Sequence, residues 1–346
     1  MSAASSPPRW LIVDTDAGVD DAVALAMAFR LGSKFNYEIK MITTVFGNCS
    51  LENVITNVAK TRAACGLDAV SGPPMYAGEK DPLVGQRIDA GYFHGNDGLG
   101  NNSFPEEATG LNEGDHAVDK ILEVCAEARQ KGISATLLAL GPLTNLARVI
   151  EKDASVLRSL DKVVMIGGCG NARGNVCRTT EFNVTADPEA AQNVMAALLE
   201  QDVVCTLVSW ELTLAYSIPW EVYDEVMSDE SAKRSRLNNF LKEICQVSYG
   251  SPHLRIPVPH FSHPGEHFGG AVICDVLAMV VALNPDSVIE ASEEVNVEVE
   301  LDGKLTRGQT VVDWGCFDGV VRKKNCSWVT RVNHNAFISM FKEIFD

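Results

Sequence analysis

Short apolar runs that are typical of buried strands alternate with segments of helical periodicity through most of this chain. The strand-like runs span residues 10–13, 37–46, 135–140, 162–166 and 203–208. The helix-like segments span residues 20–31, 50–65, 143–150 and 188–200. Such alternation predicts an α/β fold with an open, mostly parallel sheet and helices on both of its faces.

Two long segments interrupt the alternation. Residues 66–113 are rich in Gly, Pro and Asn and carry YFHGNDGLGNN at 92–102. Residues 248–270 carry four histidines: His253, His260, His263 and His267. Long irregular stretches inside an α/β chain usually form active-site loops, so we expect both near a site, with a surface excursion as the alternative. The histidine loop suggests a mobile lid or, as an alternative, a metal site.

The C-terminal part predicts a small β-hairpin and a last helix. The segment VNVEVELDGKLTRGQTVVDW, from residue 295, alternates in polarity and is expected to turn at Asp302-Gly303, and residues 334–345 follow as a helix. No shift in composition marks a linker. We therefore expect a disordered tail at 1–8 and one catalytic domain over 9–346.

Charge and cysteine content limit the partners and the compartment. The chain has 346 residues, with 46 acidic and 29 basic side chains and a net charge of −17, which disfavours nucleic acids and anionic membranes as partners. The longest apolar stretch, 271–283, is too short to span a membrane. Ten cysteines without a CxxC pair, and no signal-peptide pattern, predict free thiols and a cytoplasmic protein.

Four carboxylates follow the first predicted strand within eight residues: Asp14, Asp16, Asp20 and Asp21. Like charges repel in a confined site, and a divalent cation relieves that repulsion. The cluster lies at the carboxyl end of a strand, where open α/β sheets bind ligands. Hard oxygen donors without a Cys–His pattern favour calcium or magnesium over zinc. The alternative is a solvated acidic loop that caps a helix.

An Asp-x-Asp after a strand also resembles the haloacid-dehalogenase phosphatases, in which the first Asp is the nucleophile. That family has Thr or Val two residues after the second Asp, where this chain has Gly18. A phosphatase of this class is therefore one alternative function.

A longer series of motifs resembles the nucleoside hydrolases, the family of inosine–uridine-preferring ribohydrolases. The segment VDTDAGVDDAVAL is similar to the family signature DTDPGxDDxxA. Five further motifs follow in the family's order. The first three are ITTVFGNCSLENVITN (42–57), FHGNDGLG (93–100) and LALGPLTNLA (138–147). The fourth lies within 163–191 and has two parts, VVMIGGCGNARGNV and TTEFNVTADPEAA, and the fifth is GGAVICDVLAM (269–279). The resemblance covers residues 9–330.

This resemblance implies calcium-dependent hydrolysis of the N-glycosidic bond of ribonucleosides, in nucleoside salvage. The implied metal ligands are Asp16, Asp21, Asp275 and the backbone carbonyl of Leu140. Asp16 also matches the general base, and Asp14 supports the metal loop. The implied substrate contacts are Asp20, Asn48, Glu181, Asn183 and Asp275. Asn175 matches an Asn near the sugar and His94 a His near the base and sugar, and both are candidate catalytic residues.

The chain departs from the family at Cys274, where the family's non-specific enzymes carry the His that is the presumed acid for the leaving base. This resembles a third, cysteine-bearing subgroup. A thiol with a pKa of about 8.5 is a poor acid at neutral pH, so Cys274 is either a catalytic replacement or a small packed residue. We expect a preference for purines, which can leave after protonation at N7, with inosine and guanosine ahead of uridine and cytidine.

Trp210 either stacks on a purine or belongs to the core. The chain is expected to form a homodimer or a homotetramer. A nucleoside- or ribose-binding protein without activity remains a third alternative function.

Overall fold

The computed structural model describes residues 7–105, 110–250, 269–315, 320 and 322–346. Within these residues the strands are β1 (Arg9–Thr15), β2 (Tyr37–Thr44), β3 (Met75–Ala77), β4 (Leu111–His116), β5 (Ala135–Ala139), β6 (Lys162–Ile166), β7 (Cys205–Val208), β8 (Ile218–Pro219), β9 (Gly270–Ala271), β10 (Ile289–Val299), β11 (Thr310–Asp313) and β12 (Cys326–Val332).

The α-helices of the same residues are α1 (Val19–Leu31), α2 (Leu51–Ala64), α3 (Gly91–His94), α4 (Ala117–Lys131), α5 (Thr144–Asp153), α6 (Phe182–Ala186), α7 (Pro188–Gln201), α8 (Trp210–Ala215), α9 (Trp220–Val226), α10 (Asp229–Ala232), α11 (Arg236–Tyr249), α12 (Cys274–Leu283), α13 (Pro285–Val288) and α14 (His334–Lys342). Two short 3₁₀ helices span Ser33–Phe35 and Ala154–Ser159.

Ten strands form one sheet in the order β11-β10-β12-β7-β6-β5-β1-β2-β3-β4. The pairs from β12 to β4 are parallel, whereas β10 runs antiparallel to both β11 and β12. A separate two-stranded antiparallel sheet joins β8 to β9. Because the parallel strands share one direction, the loops after β1, β2, β5 and β6 meet at one edge of the sheet.

Successive side chains of the central strands enter two different cores. In β1, Leu11 and Val13 pack with α1, α2, α11 and α12, whereas Trp10 and Ile12 pack with α4, α5 and α7. Side chains alternate between the faces of a strand, so a strand that is apolar on both faces must be covered on both. The predicted α/β fold with helices on both faces is confirmed.

The C-terminal hairpin is also present, but its connection differs from the prediction. Strands β10 and β11 pair from Asn296↔Asp313 to Val299↔Thr310, and residues 300–309 connect them. The predicted Asp302-Gly303 turn lies inside this longer connection, where both residues donate backbone N–H groups to the side chain of Glu300. Because the Glu300 side chain accepts both N–H groups, the backbone does not need the hydrogen bonds of a two-residue turn, and a longer connection forms.

The described residues contain no helix that is long and apolar enough to cross a membrane. The histidines predicted to form a loop at 253–267 lie outside the described residues, as do residues 1–6 of the predicted tail.

Candidate active site

The first element of the site is the tight turn that connects β1 to α1. β1 ends at Thr15, and α1 begins at Val19. The Asp21 carboxylate accepts hydrogen bonds from the Gly18 N–H (2.9 Å) and from the Thr15 hydroxyl (2.5 Å). Asp21 therefore closes the turn from inside the first helical turn, where a carboxylate also suits the helix dipole.

Gly18 is required by the space around it. A Cβ atom at this position would lie 2.5 Å from Asn48 Nδ2 and 2.8 Å from ring atoms of His94. Only a residue without a side chain lets both groups approach the turn so closely.

Three carboxylates converge beside this turn. One oxygen each from Asp20, Asp21 and Asp275 lies within 4.8 Å of the other two, and all three residues are buried. Asp275 belongs to the first turn of α12, which packs against α1. Burial, and then the charges of Asp20 and Asp21, raise the pKa of Asp275 well above its ordinary value. The three side chains thus present oxygen donors that repel one another without a cation.

Asp16 lies next to this group and is completely buried. Its Oδ2 atom accepts a hydrogen bond from the Asn48 N–H at 2.8 Å. Burial, followed by the charge of Asp21, raises the pKa of Asp16. Asp16 Oδ1 and Asp20 Oδ1 are buried and have no hydrogen-bond partner among the described residues. Orphaned carboxylate oxygens within an acidic cluster are the donor set that a hard cation such as Ca²⁺ takes.

Asp14 lies behind the turn rather than in the group of three. Its Oδ1 atom accepts hydrogen bonds from the Thr43 hydroxyl (2.5 Å) and the Asn145 amide (2.7 Å). Burial raises the pKa of Asp14 to about 7. These bonds tie the end of β1 to the neighbouring strand and to α5.

His94 faces the turn from the end of α3. Its Nδ1 atom accepts the Val19 N–H at 3.0 Å, and burial lowers the pKa of His94 to about 4. Although Nδ1 is only 3.8 Å from Asp20 Oδ1, a neutral ring makes no ion pair there. With Nδ1 as acceptor, the proton of the neutral imidazole lies on Nε2, so His94 is a hydrogen-bond donor rather than a cation.

Side chains from two further loops complete the polar part of the site. Glu181 caps α6 by accepting the N–H groups of Gly168, Asn183 and Val184, and burial raises its pKa to about 7. The Asn183 amide donates to the Leu140 carbonyl at 2.8 Å. A carbonyl oxygen has two lone pairs, so this bond leaves one of them for a second partner.

Most of the predicted site residues line one cavity of about 440 Å³. Its lining includes Asp20, Asn48, His94, Leu140, Asn175, Glu181, Asn183, Cys274 and Asp275. Asp16 and Asp21 do not line the cavity, but their charges act on Asp275, which does. A wider groove of about 650 Å³ lies beside β2 and contains none of the predicted site residues.

The other part of the cavity is apolar, and its side chains include several that sequence reasoning did not find. They are Tyr92, Phe93, Phe182, Trp210, Leu214, Trp220 and Tyr249. Of these only Trp210 was considered, with stacking and core packing both left open, and it lies in the cavity wall. Tyr92, Phe93 and Phe182 lie inside the sequence segments quoted above, but those segments do not mark them as part of an apolar wall. Leu214, Trp220 and Tyr249 belong to no motif, because α8, α9 and α11 bring them together only in the folded chain.

Comparison with known proteins gives the family of this chain. The family model of the inosine-uridine preferring nucleoside hydrolases matches residues 11–339. The chain belongs to this family.

Individual relatives extend the match over nearly the whole chain. An inosine-uridine preferring nucleoside hydrolase of Leishmania major is 33% identical over 324 residues, which cover 92% of this chain and 91% of the relative. Uridine nucleosidase 1 of Arabidopsis thaliana is 29% identical over 310 residues, which cover 88% of this chain and 82% of the relative. A solved structure of an inosine-guanosine nucleoside hydrolase has a TM-score of 0.83 and 29% identity, and covers 97% of this chain and 98% of that one.

This nucleoside hydrolase is therefore an enzyme that acts on N-glycosyl bonds of ribonucleosides. The match sets aside both a dehalogenase-like phosphatase and a binding protein without activity. The relatives differ in the bases that their names give, so the base preference of this chain does not follow from the family.

Cys274, the main departure from the family pattern, is held as a neutral thiol. Its Sγ atom donates to the Thr213 hydroxyl at 3.5 Å, and that hydroxyl donates to the Trp210 carbonyl at 2.8 Å. Burial, followed by the charge of Asp20, raises the pKa of the Cys274 thiol. The bonds link the start of α12 to α8, which carries part of the apolar wall.

Proposed function

We propose that this nucleoside hydrolase uses a calcium ion to hydrolyse purine ribonucleosides, inosine and guanosine above all, to the free base and ribose. The observation that carries the proposal is one cavity with two unlike ends. Asp20, Asp21 and Asp275 gather at one end, and tryptophans 210 and 220 line the other. A ribonucleoside has the same division, with a hydroxyl-rich sugar joined to a flat apolar base.

The acidic end fits a hard divalent cation. The proposed ligands are Asp16, Asp21 and Asp275, with the second lone pair of the Leu140 carbonyl. Asp21 and Asp275 belong to the group of three converging carboxylates, and the charge of Asp16 acts on Asp275 from beside that group. When bound, such a cation would make a neighbouring water more acidic and would order the ribose hydroxyls.

Asp16 is the proposed general base. Its Oδ1 atom has no partner among the described residues, whereas the Asn48 N–H holds the other oxygen. An oriented carboxylate with one free oxygen can take the proton of an attacking water.

The ribose is assigned to the polar residues around the turn. Asp20 and Asn48 approach it from the turn side, and Glu181 and Asn183 approach it from the α6 side. Asn175 and His94 line the same volume and are proposed to contact the sugar, His94 through its Nε2–H group. As the bond breaks, the sugar gains oxocarbenium character, which the surrounding carboxylates stabilise.

Purine preference follows from what the base end contains. The Cys274 proton is engaged with Thr213, so this thiol is not placed to protonate a leaving base. A purine protonated at N7 can leave as a neutral molecule, and pyrimidines have no equivalent ring nitrogen beside the bond. Two tryptophans in the wall also offer a purine more stacking area than a pyrimidine.

The test is a panel of inosine, guanosine, adenosine, uridine and cytidine with the purified full chain, in which base release is followed. After chelation we expect activity to be lost, and we expect calcium to restore it better than magnesium or zinc. Full activity in strong chelator would refute the metal assignment. Equal kcat/KM for uridine and inosine would refute the base preference.

Cytoplasmic location and a homodimer or homotetramer remain predictions from the sequence. Fractionation of cells and light scattering of the purified chain test them.

A further inference from the structure

Asn57 is a buried polar residue of α2 to which neither the motif analysis nor the proposed mechanism gives a role. It is 1% exposed. Its Nδ2 atom donates to the Ala17 carbonyl at 3.0 Å and to the Asp97 carbonyl at 2.9 Å. A side-chain amide has two N–H groups, so both are used. One of the two acceptors lies in the turn of residues 16–18 between β1 and α1, here called the carboxylate turn. The other lies in the loop that follows His94.

The first bond holds a residue in an unfavourable conformation. Ala17 has φ +40°, in the left-handed region that alanine seldom adopts. Its N–H donates to the Thr15 hydroxyl at 3.1 Å, and its carbonyl accepts from Asn57. A strained backbone persists only where its surroundings hold it in place. The two neighbours of Ala17 in the carboxylate turn are Asp16, the proposed general base, and Gly18.

The second bond holds the loop of residues 95–102 against α2. Asp97 organises this loop, because its carboxylate accepts the N–H groups of Leu99 (2.8 Å), Asn101 (2.8 Å) and Asn102 (3.1 Å). At Gly98 a Cβ atom would lie 2.5 Å from Cys49 Sγ and 3.0 Å from Asn57 Nδ2. The loop thus packs directly on the amide that binds its backbone.

A second link joins the same two segments on the other side of Gly18. The Val19 N–H donates to His94 Nδ1, and the His94 carbonyl accepts the Gly100 N–H at 2.7 Å. The turn and the His94 loop are therefore joined at two points, once through the imidazole and once through Asn57. Without the Asn57 amide, the bond from the Val19 N–H to the His94 ring would be the one of these two links that remains.

We propose that Asn57 is a positioning residue, whose amide fixes His94 relative to the carboxylate turn and thereby holds His94 in its Nε2–H tautomer. The inference rests on the proposed function only for its kinetic readout. Its structural content, the link between two loops, is measured without any nucleoside.

The test compares Asn57→Ala and Asn57→Asp with Asn53→Ala. Asn53 is a matched control, because it lies one turn earlier on α2 and its amide contacts the same loop at the Asn96 carbonyl (3.5 Å) but does not reach the turn. We expect kcat/KM for inosine to fall about 10- to 100-fold in both Asn57 variants, which is the usual cost of losing a residue that orients catalytic groups. Asn53→Ala should stay close to the wild type.

A double-mutant cycle with His94→Ala separates positioning from general destabilisation. If Asn57 acts through His94, Asn57→Ala should cost about threefold or less in the His94→Ala background, because coupled residues are not additive. Independent, multiplying effects would overturn the proposal.

Nitrogen NMR of the His94 ring supplies the readout that needs no activity. We expect one Nε2–H tautomer in the wild type and in Asn53→Ala, and mixed tautomers in folded Asn57→Ala. An unchanged tautomer in Asn57→Ala would overturn the proposal. A wild type that shows this tautomer but cleaves no nucleoside would contradict the proposed function and leave the role of Asn57 intact.

Discussion

The two ends of the cavity are built in opposite ways. At the proposed ribose end, buried carboxylates are held by backbone N–H groups and hydroxyls, as Asp21 is by Gly18 and Thr15. At the base end, aromatic side chains such as Trp210 and Trp220 form the wall, and the nearest polar groups bond to one another. Among the described residues, the buried carboxylates therefore gather at one end of the cavity and the aromatic side chains at the other, and under the proposed function these ends take the sugar and the base.

The largest effect is expected at the sugar. A site built to bond a hydroxyl rejects the analogue that lacks it by about 10⁴-fold. We therefore expect kcat/KM for 2′-deoxyinosine to be lower than for inosine by about that factor, in parallel assays of hypoxanthine release. Comparable values for the two substrates would show that the polar end does not bind the 2′-hydroxyl.

Asp275→Asn should separate activity from stability. Loss of a proposed metal ligand removes several kcal/mol of transition-state stabilisation, so kcat/KM for inosine should fall about 10³-fold. The same change removes one buried like charge, so the metal-free protein should melt about 1–3 °C higher at pH 7.5. A lower melting temperature in chelator would contradict the view that these carboxylates repel one another. Calorimetry beside kinetics measures both effects.

Truncation at the base end should cost less. Trp210→Ala removes a stacking surface worth about 1–3 kcal/mol, so kcat/KM for inosine should fall about 10- to 100-fold. Trp210→Phe is the matched control and should retain most of the activity. If the alanine variant lost uridine activity more than inosine activity, the wall would not be a purine surface.

Cys274→Ala should have a small effect, because it removes one long hydrogen bond worth about 1 kcal/mol or less. We expect kcat/KM for inosine to stay within about fivefold of the wild type. Loss of several orders of magnitude would instead make Cys274 a catalytic residue. Cys274→His supplies an ionisable ring and is expected to raise uridine cleavage relative to inosine.

The smallest effect concerns the pH dependence of stability. Burial raises the pKa of Glu181 to about 7 from its ordinary value of 4.5. Between these values the folded protein binds more protons than the unfolded chain, so the free energy of unfolding falls as pH rises from about 4.5 to 7. In chelator, the melting temperature should decline over this range, and the decline should be about 3 °C smaller in Glu181→Gln. Equal declines in the two proteins would contradict this assignment.

The polar end of the cavity could be predicted from the sequence because its signals are local. The strand-to-turn segment 14–21 and the α6 N-cap Glu181, with Asn183 two residues later, occupy short stretches. Parallel strands necessarily bring their carboxyl ends together. The sheet with helices on both faces was predictable for a similar reason, since β1 is apolar on both faces.

The composition of the apolar cavity wall could not be predicted from the sequence, because it depends on the tertiary structure. The same holds for the pKa shifts of the buried groups and for the hydrogen bonds that link the loops. Trp220 and Tyr249 carry no motif, and only the packing of α9 and α11 brings them into the cavity wall. The tautomer of His94 follows from a bond to Val19, and the neutral thiol of Cys274 from a bond to Thr213. Periodicity and spacing describe neighbours along the chain, whereas pKa values and hydrogen-bond partners depend on burial by distant segments. The sequence by itself therefore determined which end of the sheet gathers the carboxylates, and tertiary packing decided how far each of them is buried and which groups hold it.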